Sequence, residues 1–262
     1  MGKSTKPVAV ILGCSTGTGA ACMRAFADAG YHVIGFHLGR HPKDANAVGL
    51  HLMESGADGS LVTMDAGSTH EAVVQAVDHI AYLGEVNVLI HALSGASIGS
   101  TIGTAPKNVE RTFNLMAHSF FWWTQQLLAK DLLVPYSALF ALTNPLPQYY
   151  LNGSGVVGPA KAALETYVKH LAVELGSQQI SVNAVRFSTV LTPALSKVLG
   201  DEGVQRMARL HRRIMPHNVM QEADHVAEFI RRLVQFPDRP TGAVLDYTTG
   251  ATLTLLDYAF RG

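Results

Sequence analysis

A chain of 262 residues with 48% hydrophobic side chains is long enough to bury a full core, and one domain spanning 1–262 is the expectation at this length. The formal net charge is zero and no basic run could neutralise a row of phosphates, which argues against nucleic acid and for a small-molecule or carrier-bound substrate. Two cysteines, Cys14 and Cys22, cannot make a disulfide framework and read as packing residues in a reducing compartment.

In chain order, short apolar runs bounded by turn residues alternate with stretches of helical spacing. Pro7 to Gly13 is the first expected strand, followed by a helix from Gly19 to Ala29. Next come a strand at His32 to Leu38 with a helix at Asp44 to Ser55, then a strand at Ser60 to Asp65 with a helix at His70 to Leu83. The fourth and fifth strands, Val86 to Leu93 and Ser137 to Thr143, lead into helices at Asn108 to Lys130 and Gly155 to Leu175. Strands at Ile180 to Phe187 and Ala243 to Tyr247 flank a helix at Ala223 to Gln235. The irregular stretch from Thr192 to Glu222 could form a short helical lid.

Near-continuous apolar strands imply a sheet covered on both faces, and the alternation implies right-handed crossovers. The expected class is therefore α/β, a Rossmann fold with a doubly wound, parallel, seven-stranded sheet and ligands at the strands' carboxyl ends. The apolar run at the N-terminus is short and enters a glycine turn, so it reads as a strand rather than a signal peptide. No apolar stretch reaches the roughly 18 residues of a membrane span, and a cytoplasmic protein is expected.

The segment Gly13-Cys14-Ser15-Thr16-Gly17-Thr18-Gly19 joins the first strand to the first helix. Glycines there allow a tight turn and close approach to a pyrophosphate, whose charge the helix-terminal amides stabilise. An NAD-preferring fold places a carboxylate near the end of the second strand to hold the ribose hydroxyls. This chain instead has Phe36-His37-Leu38-Gly39-Arg40, where Arg40 and nearby basic groups suit the 2′-phosphate of NADP(H). Asp65 could accept from adenine or cap the next turn, and His91 could bond a backbone group or a ribose or sit satisfied in the core. No metal-ligand spacing is present.

The order of these motifs resembles the short-chain dehydrogenase/reductase family over nearly the whole chain. The match runs from Gly13, Gly17 and Gly19 through His91-Ala92-Leu93-Ser94-Gly95 and Lys161 to Asn183-Ala184-Val185, Thr192 and the closing Thr241-Gly242 segment. Within the family, Gly30-Tyr31-His32-Val33 through Arg40 to Ala47 resembles the cofactor loop of NADPH-dependent pteridine reductases. Tyr150 to Ser154, Lys161 to Glu165 and Ile180 to Val185 are similar to bacterial enoyl-acyl-carrier-protein reductases. The resemblance implies Lys161 at the nicotinamide ribose, Val190 and Thr192 at the nicotinamide, and a homotetramer or homodimer.

The family's proton-donating tyrosine lies four residues before the lysine, or seven before it in the enoyl reductases, and here those positions hold Val157 and Ser154. Valine has no proton to give, and a serine hydroxyl is a far weaker acid than a phenol. The family serine aligns near Asn144, and the helix-four asparagine aligns with Met116, two residues from Asn114. Lys161 is accordingly the first catalytic candidate, with Tyr150 or Tyr149 in the preceding loop as possible proton sources. Ser154 could bond substrate or cap the helix. The function expected is an NADPH-dependent reductase of an enoyl or carbonyl, thioester-like substrate. The alternatives are a non-redox isomerase, dehydratase or cyclase on the same fold, and an inactive NADP-binding protein.

Overall fold

The structure, a computed structural model, describes residues 6–95, 99–187, 190, 200–206, 208–209 and 222–248. Strands β1 (Val8–Leu12), β2 (His32–His37), β3 (Gly59–Thr63), β4 (Val86–His91), β5 (Leu133–Thr143), β6 (Ser181–Arg186) and β7 (Val244–Asp246) form one sheet. Their order is β3-β2-β1-β4-β5-β6-β7, and every pair is parallel. All five residues of β1 are buried, because a central parallel strand is covered on both faces.

Helices α1 (Gly17–Asp28), α2 (Pro42–Glu54) and the last helix, α7 (Ala223–Gln235), cover one face, where Phe26, Met23, Val226 and Ile230 pack against Ile11, Ile90 and Val185. Helices α3 (His70–Ile80), α4 (Pro106–Phe113), α5 (Ser119–Ala129) and α6 (Val157–Leu175) lie on the other. There Trp123, Phe120 and Leu164 meet Leu12, Leu89 and Leu139, and each fully buried side chain of this size contributes about 1.5–3 kcal/mol. Trp123 also donates its indole N–H to the Ala66 carbonyl at 2.7 Å, so this core position leaves no buried donor unsatisfied.

Two elements depart from the sequence reading. The single helix expected at Asn108 to Lys130 begins at Pro106, whose missing N–H costs nothing in a first turn, and is interrupted by a π turn at Asn114–His118. Strand β5 starts four residues before the expected Ser137, passing through Pro135 and through Tyr136, which has a left-handed φ of 71°. The Arg239 guanidinium holds this irregular start by bonding the Tyr136 carbonyl and Ser181 Oγ. Of the stretch proposed as a lid, residues 200–206 are helical and most of the remainder lies outside the described residues.

Because β1 pairs with β2 on one side and β4 on the other, the connections diverge between β1 and β4 and leave a crevice at their carboxyl ends. The glycine turn sits there, with the Gly13 and Cys14 amides donating to Phe36 O at 2.9 and 3.1 Å and the Ala92 amide donating to Leu12 O at 2.9 Å.

Candidate functional site

The turn after β1 depends on glycine geometry. Gly13 and Gly17 have φ of 83° and 56°, and a Cβ on Gly19 would fall 2.0 Å from the Gly13 carbonyl oxygen. Helix α1 opens with neither a side-chain cap nor an acidic residue in its first turn, and the buried Thr18 Oγ1 has no partner among the described residues. Half-buried Ser15 lies within the same turn. Free first-turn donors with an orphaned hydroxyl fit the pyrophosphate of a dinucleotide. Gly19→Ala is expected to cost about 1–3 kcal/mol of stability through overpacking. It should also weaken NADPH binding at least tenfold, as read by thermal melting and nucleotide fluorescence titration.

At the end of β2 the structure redistributes the expected roles. His37 Nδ1 accepts from the Gly39 amide at 3.1 Å while Nε2 lies 3.3 Å from Thr63 Oγ1. Burial lowers its pKa, so near neutral pH the ring is an uncharged brace for the turn. Arg40, two residues beyond Leu38, is the exposed cation beside this brace. Asp65 takes the turn-capping alternative: Oδ1 accepts from the Gly67 and Ser68 amides at 3.0 and 2.9 Å, and Oδ2 accepts from Ser68 Oγ. Burial raises its pKa, but these bonds and the Arg40 charge outweigh it and keep the carboxyl below its usual range. Replacing the exposed cation, Arg40→Ser, is expected to weaken NADPH at least tenfold while leaving NADH nearly unchanged, measured as the ratio of the two dissociation constants.

His91, at the end of β4, is 0% exposed. Ser119 Oγ donates to Leu115 O at 2.9 Å and so receives the His91 Nε2–H at 2.7 Å, leaving Nδ1 as a bare buried acceptor. Burial and the neighbouring Lys161 charge push the His91 pKa down to about 3, so the ring is neutral. Of the two readings His91 takes the core one: its ring lies buried, edge-on to Phe120.

Lys161, in the second turn of α6, is 5% exposed and donates to Leu142 O at 2.8 Å, which places its ammonium at the carboxyl end of β5. Among the described residues Leu142 O is its hydrogen-bond partner, so two N–H donors remain, a number that suits a ribose diol. Burial brings its pKa down to about 8, against the opposing charge of Glu165. One helical turn earlier, half-buried Val157 occupies the position of the family tyrosine.

The structure does not gather the other catalytic candidates around Lys161. Tyr150 is 85% exposed and its hydroxyl lies 3.4 Å from Asn152 Oδ1. Ser154 Oγ donates backward to Leu151 O at 2.6 Å, and the N-cap of α6 is Val156, so the capping role expected of Ser154 is corrected to a turn lock. Asn144 Oδ1 closes a turn to the Leu146 amide at 3.0 Å, and Asn114 Nδ2 reaches Ser68 O at 3.4 Å. Val190 is buried against the face covered by α1 and α7, and Thr192 lies outside the described residues.

Two loops meet above this edge of the sheet. Gly99 N donates to Gly153 O at 2.8 Å, Gly155 N to Gly99 O at 3.1 Å, and Thr101 Oγ1 to Gly155 O at 3.0 Å. A Cβ on Gly155 would lie 2.2 Å from Thr101 N, so only glycine permits the approach.

Sequence reasoning missed a buried polar cluster behind Lys161. Glu165 accepts from Thr143 Oγ1 at 2.9 Å and from Arg186 Nη2 at 2.8 Å, and Arg186 Nη1 donates to Gln148 Oε1 at 3.0 Å. Two signals were present: Glu165 follows Lys161 at i+4, and Arg186 places a charge at the end of an apolar strand.

Residues 13–251 match the family model described as enoyl-(acyl carrier protein) reductase. The chain belongs to the short-chain dehydrogenase/reductase family. This short-chain dehydrogenase/reductase is 24% identical to the 1-cyclohexenylcarbonyl-CoA reductase of Streptomyces collinus, over 95% of the chain and 85% of the relative. Among solved structures, it resembles a short-chain dehydrogenase/reductase from Serratia marcescens, with TM-score 0.82, 22% identity, and 94% and 98% of the two chains covered. It also resembles a short chain dehydrogenase from Burkholderia cenocepacia in complex with NADP, with TM-score 0.80, 24% identity, and 94% and 97% covered. Among the described residues no cluster of three potential metal ligands occurs, and no helix is long and apolar enough to cross a membrane.

Proposed function

We propose that this short-chain dehydrogenase/reductase is an NADPH-dependent reductase of enoyl or carbonyl substrates activated as thioesters. The observation that carries the reading is the buried Lys161 ammonium at the carboxyl end of β5, on the edge of the sheet where the glycine turn opens. Gly13, Ser15, Gly17 and Gly19 would hold the pyrophosphate, Arg40 the 2′-phosphate, and Lys161 the nicotinamide ribose. Bound NADPH would supply a hydride.

Lys161 stabilises the negative charge that develops on the substrate oxygen, and its partial desolvation strengthens that interaction. Val157 contributes no proton, so the proton reaches the substrate from water or from Tyr150 once its loop brings the phenol inward. The S. collinus relative acts on a coenzyme A thioester by its name, which supports the substrate class. We extend the proposal to one domain over 1–262, to a cytoplasmic protein, and to a homotetramer or homodimer. Partly buried Phe121, Trp122 and Tyr167 offer an aromatic face for such a contact.

The test is to mix purified protein with NADPH and a panel of crotonyl and longer enoyl thioesters and of ketoacyl thioesters, following nicotinamide absorbance. Oxidation with one member of the panel is the expected result. Cofactor binding without oxidation across the panel would overturn the reading, and turnover of substrate without net NADPH consumption would replace it with non-redox chemistry.

A further inference from the structure

We infer that Glu165 and Arg186 are positioning residues for Lys161, a buried pair that sets how much negative potential the lysine ammonium feels. The inference rests on the proposed reductase reading for its significance and on the apo protein's geometry for its content.

The two partners come from different elements and converge behind the lysine. Glu165 lies one turn after Lys161 on α6, on the same face, and both of its oxygens are committed, one to Thr143 Oγ1 and the other to Arg186 Nη2. Arg186, at the end of β6, is 7% exposed; its Nη1 donates to Gln148 Oε1 at 3.0 Å and forms an ion pair with Asp246 Oδ2 at 3.6 Å. Its Nε is buried with no partner among the described residues. The titratable and charged groups of the cluster are therefore the neutral His91 ring from β4, Glu165 on the lysine's own helix, whose charge raises the lysine pKa, and Arg186 from β6, which Asp246 at the end of β7 partly offsets.

The charges explain why the cluster is built this way. A lone buried ammonium tends to lose its proton, and a neighbouring carboxylate prevents that. A carboxylate paired directly with the lysine would occupy the donors a ribose or oxyanion needs. Here Thr143 and Arg186 take the carboxylate's lone pairs, so Glu165 acts on Lys161 through space while the lysine's own donors stay available. Glu165 and Asp246 both answer Arg186, so the Lys161 ammonium keeps its own charge toward the cleft, as a developing substrate oxyanion requires.

The test is a titration of the apo protein labelled with carbon-13 at lysine Cε, with the Lys161 signal assigned by its loss in Lys161→Arg. Glu165→Gln is expected to lower the Lys161 midpoint by about one pH unit or more, because the supporting negative charge is gone. Arg186→Gln is expected to raise it by a similar amount, because a like charge is removed and the carboxylate turns toward the lysine. The pH at which NADPH affinity falls away should move with each midpoint.

A purely structural cluster would change the melting temperature without moving the midpoints in opposite directions. Unchanged midpoints, or shifts of the same sign, would overturn the inference. Should either variant fail to fold, Thr143→Val removes one donor from Glu165 at constant shape, and a midpoint raised by about 0.3 unit or more supports the same conclusion while no change overturns it. The titration needs neither substrate nor cofactor, so its failure is distinct from failure of the reductase assay.

Discussion

Val157→Tyr is expected to raise the rate of NADPH-dependent reduction by about 10²-fold or more, the usual worth of a positioned general acid. Val157 is the first residue of α6 and lies one turn before Lys161 on the same face, so a phenol there would stand beside the ammonium. The site is only half-buried at this point, and a tyrosine can leave the helix surface without displacing core side chains. The proximity of the ammonium would lower the phenol's pKa toward neutrality, which improves it as a donor. Single-turnover oxidation of bound NADPH, with the reducible thioester identified in the panel, measures the gain. An unchanged rate would mean that the proton already arrives by an equally effective route, and attention would pass to Tyr150.

The second large effect runs in the opposite direction. Lys161→Met is expected to reduce kcat/KM by about 10²–10³-fold, the cost of removing one preorganised charge from an oxyanion site. The same change should stabilise the fold. Burial holds the lysine near pH 8 in the folded chain, below its unfolded value, so below that pH the folded state bears the full penalty of keeping the charge. As pH rises from about 8 toward the unfolded value, the unfolded chain binds more protons than the folded one, and wild-type stability climbs. A methionine of similar shape escapes the penalty, giving a gain on the order of 1–3 kcal/mol near neutral pH that shrinks in alkaline buffer. Denaturant titrations of both proteins across that pH window test the sign. A variant that is slower and more stable would mark Lys161 as a residue kept for chemistry.

The sequence made most of the scaffold legible. Apolar runs and helical spacing placed all seven strands and the helix at Ala223–Gln235, because a doubly wound sheet buries its strands on both faces and gives each helix one apolar stripe. It failed where local pattern carries no information. Nothing in the spacing of Asn108 to Lys130 announces that the ladder opens into a π turn at Asn114–His118, directly before the serine that bonds His91. The left-handed Tyr136 hid the start of β5 behind a proline.

At the site, the glycines and Lys161 stood out because their chemistry is tied to fixed positions along the chain. The directions of side chains did not. The sequence left His91 open between a ligand contact and a place in the core, and only the packing of β4 puts its ring in the core. Glu165 and Arg186 are 21 residues apart, and only the packing of α6 on β6 brings them within 2.8 Å. A pairing of that kind belongs to tertiary structure and leaves at most a charge in an unexpected place.

The glycine-mediated seam between the loops at 99–101 and 153–155 has a kinetic meaning. Among the described residues three hydrogen bonds join the two segments, so lifting either one away breaks all three together. Separation of the two segments is therefore expected to be one cooperative event instead of two independent loop motions, which matched hydrogen-exchange rates at the Gly99 and Gly155 amides would report.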